Sequence, residues 1–193
     1  MIENPVTKER IEFRVQGADT DGRYTEADMF VGPGGYAAAE HVHPHQEERF
    51  EIRRGVLRLH VDGAERVLRA GDTATVPPET PHVWSNGGND ELQMVLRFTP
   101  ALNTEEFFES YFELVAAGKT NGKGMIANPL HAAVMLRHFS DFIVPMSPPR
   151  WVQRLAIVLL APVGHWLGYR GSTAATQAAQ SPASFAGRGR GMR

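Results

Sequence analysis

The chain has 193 residues, of which 42% are apolar, and a formal net charge of −2. This length is enough to bury one hydrophobic core, and the near-neutral charge gives no general attraction to nucleic acid or to anionic membranes. The sequence contains no cysteine, which excludes disulfides, thiolate metal ligands and a cysteine nucleophile. Any metal ion must therefore be held by imidazole and carboxylate groups.

The first hundred residues are typical of β structure. Short apolar or alternating runs are separated by turns that contain Gly, Pro and Asp. The runs occupy residues 11–16, 29–31, 51–61, 66–68, 73–76, 83–85 and 92–98. Many short strands at this spacing predict a mainly β domain, a barrel or a sandwich, over residues 1–100.

The pattern changes to helical after Pro100. Apolar residues recur at helical spacing from Thr104 to Gly118, and residues 130–139 and 150–160 are two further helical candidates. We expect residues 101–170 to form a helical extension that packs on the β domain or on a second subunit. Residues 171–193 are rich in Ala, Gly, Ser and Gln, which predicts a disordered tail.

Neither targeting nor membrane insertion is indicated. The N-terminal segment has no apolar stretch of the kind that marks a secretory signal. The longest apolar run, residues 155–163, is about half as long as a membrane span and contains Pro162. We therefore expect a cytoplasmic protein that binds neither nucleic acid nor membrane.

Histidines and a glutamate cluster in two segments of the β region. His41 and His43 are two residues apart, so on a strand both imidazoles point to the same face. Pro44 breaks that strand, and Glu48 begins the next one and can point into the same space. His82 follows a Pro-rich corner and can supply a fourth ligand.

Other residues compete for these roles. Glu47 is the alternative carboxylate to Glu48. His45 lies in the turn, where it is expected at the rim. His60 alternates out of phase with its apolar neighbours and is expected to face away from the interior. Two imidazoles and a carboxylate suit Fe(II), Mn, Zn, Ni or Cu(II), and residue types alone do not choose among these divalent ions.

The two segments resemble the two motifs of the cupin superfamily. The first is usually written G-x5-H-x-H-x3,4-E-x6-G and the second G-x5-P-x-G-x2-H-x3-N. Nine of the ten fixed positions match, and Glu79 stands where the pattern has glycine. The spacing to the last glycine of the first motif favours Glu48 over Glu47. The matching residues are Gly35, His41, His43, Glu48, Gly55, Gly71, Pro77, His82 and Asn86.

This resemblance implies a cupin β-barrel or jelly roll, over about residues 25–100, that holds one divalent metal ion. The three-His-one-Glu set is similar to that of cupin dioxygenases. By that resemblance, Glu48 would be both a metal ligand and the base that accepts a proton from the substrate. A non-redox isomerase, epimerase, cyclase or decarboxylase is an alternative, as is a small-molecule-binding module without catalysis. Cupins commonly dimerise through the barrel, so the resemblance also implies a homodimer.

The pocket lining suggests the kind of substrate. Alternation along the strands places five apolar or aromatic side chains on the interior face. They would suit an aromatic or polyketide-like small molecule, although the same residues could simply form the core. The five are Tyr36, Phe50, Ile52, Trp84 and Met94.

Overall fold

The computed structural model describes residues 1–172, so most of the predicted disordered tail lies outside the described residues. The strands are β1 Ile2–Asn4, β2 Glu9–Val15, β3 Thr25–Val31, β4 His41–Val42, β5 Glu47–Arg54, β6 Val56–Val61, β7 Ala64–Arg69, β8 Thr73–Val76, β9 His82–Asn86, β10 Leu92–Thr99 and β11 Val144–Pro145. The helices are α1 Thr104–Ala116, α2 Pro129–His138 and α3 Arg150–Trp166, with a 3-10 helix at Gly17–Thr20.

The strands form two antiparallel sheets. One has the order β1-β2-β3-β10-β5-β8 and the other has the order β11-β4-β9-β6-β7. The predicted jelly roll with C-terminal helices is confirmed, but the sheets are not closed into a barrel. The reason is that, within residues 1–172, each sheet ends in strands that are not hydrogen-bonded to the other sheet.

The core lies between the two sheets because apolar residues alternate along the strands. In β3, every second side chain from Thr25 to Val31 is buried, while the residues between them are partly exposed. The inward faces of β5, β6 and β10 add the largest fully buried side chains. These include Phe50, Ile52, Leu57, Leu59, Met94 and Phe98.

Gly55 is the point at which the chain passes from one sheet to the other. The predicted single run 51–61 is therefore two strands, β5 and β6. Gly55 has a φ of +84°, and a Cβ atom there would lie 2.9 Å from the Cα atom of Leu92. Glycine is required because the backbone is left-handed and a neighbouring strand passes directly against it.

The C-terminal region packs against the β domain through aromatic side chains. Phe108 of α1 contacts Phe13 and Phe98 of the six-stranded sheet, with ring centroids 6.2 Å apart in both pairs. The short strand β11 pairs with β4 and so extends the five-stranded sheet. Residues beyond position 100 thus complete one sheet and cover part of the other.

Helix α3 runs through Pro162 to Trp166, six residues beyond the predicted end at 160. A proline removes the hydrogen bond to the carbonyl four residues earlier, here that of Val158. Val158 is 68% exposed, so water can reach that carbonyl and the helix continues. The buried side of α3 packs closely on α2, where a Cβ atom at Gly164 would lie 2.7 Å from the side chain of Val134.

The opposite side of α3 is apolar and exposed. Its exposed side chains recur every three or four residues, which places them on one face of the helix. No helix among the described residues is long and apolar enough to cross a bilayer. The large apolar residues of this face are Trp151, Leu155, Val158, Leu159, Val163 and Trp166.

Candidate metal centre

Strands β4 and β9 bring the first and last of the predicted ligands side by side. His41 and His82 are directly paired across the antiparallel β4–β9 ladder, and their ring centroids lie 4.4 Å apart. His43 is two residues beyond His41, so its ring turns to the same side and lies 5.0 Å from that of His41. The three imidazoles therefore face one small space.

Strand β5 supplies the carboxylate. Its side chains alternate between buried and exposed, and Glu48 is 2% exposed while its neighbour Glu47 is exposed. The Oε2 atom of Glu48 lies 2.8 Å from His82 Nε2 and 3.4 Å from His43 Nε2. The strand's period of two thus decides between the two candidate carboxylates, because only one of them can face the histidines.

The ligand atoms of the four side chains are close enough together to bind a single metal ion. One ligand atom from each of His41, His43, Glu48 and His82 lies within 4.8 Å of every other, and all four residues are buried. Imidazole nitrogen and carboxylate oxygen are ligands of divalent transition metals. The donor set therefore fits a metal ion in both chemistry and dimensions.

The second nitrogen of each ring is held by a backbone carbonyl. The Nδ1 atom of His41 lies 2.8 Å from the oxygen of Ala39, and that of His82 lies 2.9 Å from the oxygen of Thr80. The Nδ1 atom of His43 lies 2.6 Å from the oxygen of Phe142. Because a carbonyl only accepts, each Nδ1 carries the proton, and in a neutral ring Nε2 is left with a lone pair for a metal.

One ligand atom has no other role within the described structure. His43 Nε2 is buried and has no hydrogen-bond partner among residues 1–172. Leaving a polar atom buried without a partner is costly, typically about 1–3 kcal/mol. A metal ion bound to this nitrogen would remove that cost.

The electrostatics of the cluster favour the metal-binding protonation states of His41 and Glu48, whereas a metal ion at His82 would have to displace a proton. Burial, assisted by the neighbouring His43 and His82, lowers the pKa of His41 to about 3, so this ring is neutral. Burial opposes ionisation of Glu48, but its contacts with His43 and His82 outweigh burial and hold the carboxyl pKa well below its usual range. Burial also opposes a charge on His82, yet the hydrogen bond to Glu48 raises its pKa overall.

The other histidines of the β region lie outside the cluster. His60 is exposed and lies 3.1 Å from Glu65 on the neighbouring strand, so it faces away from the interior as expected. His45 is also exposed, with its Nε2 atom 3.9 Å from Asp141. Each of them therefore serves as a surface control for the buried cluster.

Comparison with known proteins places the cluster in a family. Residues 27–98 match the model of a family described as the cupin domain. This part of the chain is a cupin domain. All four clustered residues and both motifs fall within the matched stretch.

Two curated proteins resemble the chain. A protein named polyketide synthase CurC, from Streptomyces cyaneus, is 33% identical over 66 residues, which are 34% of this chain and 43% of that protein. A protein named probable oxidoreductase yanE, from Aspergillus niger, is 28% identical over 141 residues, or 66% of this chain and 52% of that protein. The chain thus spans about half the length of the curated relatives it matches.

A solved structure with a double-stranded β-helix domain, from Klebsiella pneumoniae, is also similar. Its TM-score is 0.44 at 23% identity, and the match covers 49% of this chain and 79% of that one.

The ligand cluster opens into a cavity of about 280 Å³ between the cupin domain and the helical extension. His41, His43 and Glu48 line this cavity, whereas His82 is fully buried behind them. The volume is at the lower end of the ~300–1,000 Å³ typical of small-molecule sites. The candidate metal site is therefore open to the cavity on one side and closed by protein on the other.

One of the five predicted pocket residues lines the cavity, and the other four do not. Trp84 lines the cavity. Phe50, Ile52 and Met94 are almost completely buried in the core of the cupin domain and do not line it. Tyr36 is also absent from the lining; it follows Gly35 and forms a bridge to Ser85 of β9. Alternation identified inward-facing residues, but most of the interior face is filled by packing between the sheets.

Most of the apolar lining comes from the helical extension, which sequence reasoning did not connect with the site. Helix α1, helix α2 and the segment before β11 all contribute side chains, and aromatic residues dominate. The phenylalanines on one face of the predicted first helix were the sequence feature that could have indicated this contribution to the cavity. The lining from this region includes Phe107, Phe108, Tyr111, Met135, Phe139, Phe142 and Ile143.

Glu79, the one departure from the second motif, occupies a left-handed position with a φ of +59°. This explains why the family pattern has glycine there, since other residues are strained at positive φ. The backbone N–H of Glu79 donates to the carbonyl of His43, at 2.9 Å, and its side chain forms an ion pair with Arg150 of α3. The substitution thus connects the loop beside the metal ligands to the last helix.

Proposed function

We propose that His41, His43, Glu48 and His82 hold one divalent metal ion and that the protein is an enzyme acting on a small organic substrate. The observation that carries the proposal is the convergence of three imidazoles and one carboxylate at the closed end of an aromatic-lined cavity. The reaction that we favour is an O2-dependent dioxygenation. Iron, manganese, nickel, copper and zinc all remain candidate metals, because the ligand set suits each of them.

The metal would act as a Lewis acid on a coordinated oxygen of the substrate and, if redox-active, would exchange electrons with it. The residues around it have separate roles. His82 is fully buried and fixes the back of the site, while Glu48 faces the cavity and is the candidate base for a substrate proton. The phenylalanines of the cavity wall exclude water and bind the body of the substrate.

An aromatic or polyketide-like substrate fits the lining best. Phe142 contacts both Phe98 and Phe107 in the cavity wall, with ring centroids 5.9 Å and 4.8 Å apart. Aromatic walls bind planar rings by stacked and edge-to-face contacts. The curated relative named as a polyketide synthase supports this class of substrate, and the relative named as a probable oxidoreductase supports the class of reaction.

A non-redox reaction is the second candidate. In an isomerase, epimerase, cyclase or decarboxylase, the same site would polarise a carbonyl group without oxygen. The similarity to a polyketide synthase favours a cyclase within this group. A binding module that has no catalytic activity is the third candidate and would use the cavity alone.

The proposal is tested by metal analysis followed by oxygen uptake. The full chain, purified without an affinity tag, should contain about one metal ion per chain and consume oxygen with a flavonol such as quercetin or with a β-diketone. Stoichiometric zinc without oxygen uptake would shift the assignment to the non-redox class. Ligand binding without metal and without turnover would contradict an enzymatic role.

We also propose that the protein is a homodimer and that it acts in the cytoplasm. The absence of cysteine is compatible with a reducing compartment, since no disulfide is needed for folding. Light scattering during gel filtration should give twice the mass of one 21.3 kDa chain. A mass of one chain at micromolar concentration would contradict the dimer.

A further inference from the structure

The cavity has a second polar group far from the metal ligands. Glu9, at the start of β2, lines the cavity and is 5% exposed. Apart from His41, His43 and Glu48, it is the one acidic or basic residue among the described residues that line it. A carboxyl group in an apolar wall is costly unless it has a partner, so its position calls for an explanation.

Hydrogen bonds with neighbouring residues occupy one of the two oxygens of Glu9. The side chains of Thr7 and Asn4 both donate to Oε2. Neither of these two hydrogen bonds involves Oε1. The carboxyl group is therefore fixed in position by its neighbours and has one oxygen left for a molecule in the cavity.

Glu9 and the metal ligands are at separate ends of the cavity. In the six-stranded sheet, β3 and β10 lie between β2, which carries Glu9, and β5, which carries Glu48. With strands ~4.8 Å apart, the two carboxyl groups are separated by on the order of 10 Å or more. A molecule that touches both must be elongated.

The cavity that Glu9 lines also has apolar and hydroxyl-bearing side chains. Met29, Ala37 and Tyr111 line the same cavity, and the hydroxyl of Tyr111 donates to the carbonyl oxygen of Gly124 at 2.8 Å. Burial raises the pKa of Glu9 to about 7. Near neutral pH the carboxyl group is thus available both as an O–H donor and as an acceptor.

We infer that Glu9 is a specificity-determining residue that binds a hydroxyl or carbonyl oxygen at the end of the substrate opposite the metal centre. The inference rests on the proposed function, because it takes the cavity to be the substrate site. It narrows the substrate class to elongated, multi-ring aromatic molecules with an oxygen substituent at each end. Compact substrates such as a single small diketone would not reach Glu9.

The test compares two probes that differ by one hydroxyl group. Metal-free full-length protein is titrated calorimetrically with 2,6-dihydroxyanthraquinone and with 2-hydroxyanthraquinone. We expect the dihydroxy compound to bind about tenfold more tightly, which is the effect of one net hydrogen bond. In Glu9→Leu the preference should disappear, because affinity for the dihydroxy compound falls to that for the monohydroxy compound.

Two further variants separate binding from structure. Thr7→Val removes one of the two hydrogen bonds that position the carboxyl group but keeps the group itself, so the preference should fall less than in Glu9→Leu. Glu9→Gln keeps the shape and both hydrogen-bonding functions, so it should retain part of the preference even if Glu9→Leu fails to fold. Equal affinity of the two probes for the wild type, or a full preference in folded Glu9→Leu, would overturn the inference.

The metal content of each variant distinguishes this inference from the proposed function. All the Glu9 and Thr7 variants should bind metal as the wild type does, because neither residue contacts the ligand cluster. If a Glu9 variant loses the preference between the two probes but still binds metal, the result supports the role of Glu9 and leaves the proposed metal site unaffected. A wild-type protein that discriminates between the probes but binds no metal would support the role of Glu9 and contradict the metal centre.

Discussion

The Nδ1 atom of His43 lies 2.6 Å from the carbonyl oxygen of Phe142, a residue 99 positions further along the chain. The two rings are also in contact, with centroids 4.9 Å apart. A ligand of the cupin domain is thus oriented by a residue of the helical extension. The extension thus contributes to the candidate metal site, because its backbone carbonyl fixes the tautomer and the direction of one imidazole.

Replacing Phe142 with alanine tests this connection. The ring is 1% exposed and packs on Phe98, Phe107 and Phe108, so its loss should reduce the free energy of unfolding by about 3–5 kcal/mol. Metal affinity should also fall, since His43 loses a packing neighbour. Trp166→Ala, at an 84% exposed position, is the control and should change stability by less than about 0.5 kcal/mol. Denaturant unfolding and metal titration of both variants check the prediction.

Removing a histidine from the cluster should weaken metal binding. His43→Ala and His82→Ala each remove one ligand nitrogen, and we expect affinity to fall on the order of 100-fold or more. His60→Ala, on the exposed side of β6, should leave the metal content unchanged. Elemental analysis after dialysis gives the comparison. Full metal content in both cluster variants would contradict the site.

The two adjacent glutamates form a matched pair. Glu48→Gln keeps the size of the side chain but removes the charge, so metal affinity should fall about tenfold or more. Glu47→Gln makes the same chemical change one residue away on the exposed face of β5 and should have no effect. Calorimetric titration with Mn2+ or Zn2+ measures both. Equal losses in the two variants would show that the effect is not one of coordination.

Gly55→Ala should destabilise the cupin domain at the crossing between the sheets. The new Cβ atom would meet Leu92 in a left-handed backbone, and we expect a loss of about 2–4 kcal/mol. Gly63, with a φ of +77° in the turn between β6 and β7, has nothing within 4 Å of the same Cβ position. Gly63→Ala should therefore lose only about 1 kcal/mol. The difference between the two variants in urea unfolding measures the cost of the close approach.

Glu9 should make stability depend on pH. Its pKa is raised by burial from 4.5 to about 7, so the folded state holds this proton more tightly than the unfolded chain does. The stabilising effect is complete below about pH 4.5 and is lost as the pH rises toward 7, for a total of roughly 3 kcal/mol. Tyr111, whose pKa is also raised by burial, stays neutral in this range.

Glu9→Gln isolates this effect from those of other groups. The variant cannot ionise, so the difference in unfolding free energy between it and the metal-free wild type should change by that amount between pH 4.5 and 7. A difference that is independent of pH would show that Glu9 is ionised when folded.

Local patterns were sufficient for the ligands and for most strands. His41 and His43 follow from the period of two along one extended segment, Glu48 lies on the next strand of the sequence, and the motif spacing separated Glu48 from Glu47. A barrel or a sandwich followed from the spacing of short strands, and the jelly-roll class was implied by the resemblance to the cupin motifs. The end of α3 was misjudged, because the effect of Pro162 depends on whether the carbonyl of Val158 is reached by water.

The cavity was beyond sequence reasoning for a different reason. Phe50, Ile52 and Met94 have the correct alternation for a pocket, yet the opposite sheet fills the space in front of them. Phe142 and Glu9 line the cavity although they lie about 130 positions apart, because separate elements pack around the same space.

By itself, the sequence determined which groups can bind a metal and on which face of each strand they lie, since side-chain direction is a local property of the backbone. Only the tertiary structure decided what surrounds them: the carbonyl that orients His43, the aromatic wall from the helical extension, and the buried carboxyl group of Glu9. These depend on contacts between distant segments, and such contacts are settled by the packing of the whole chain.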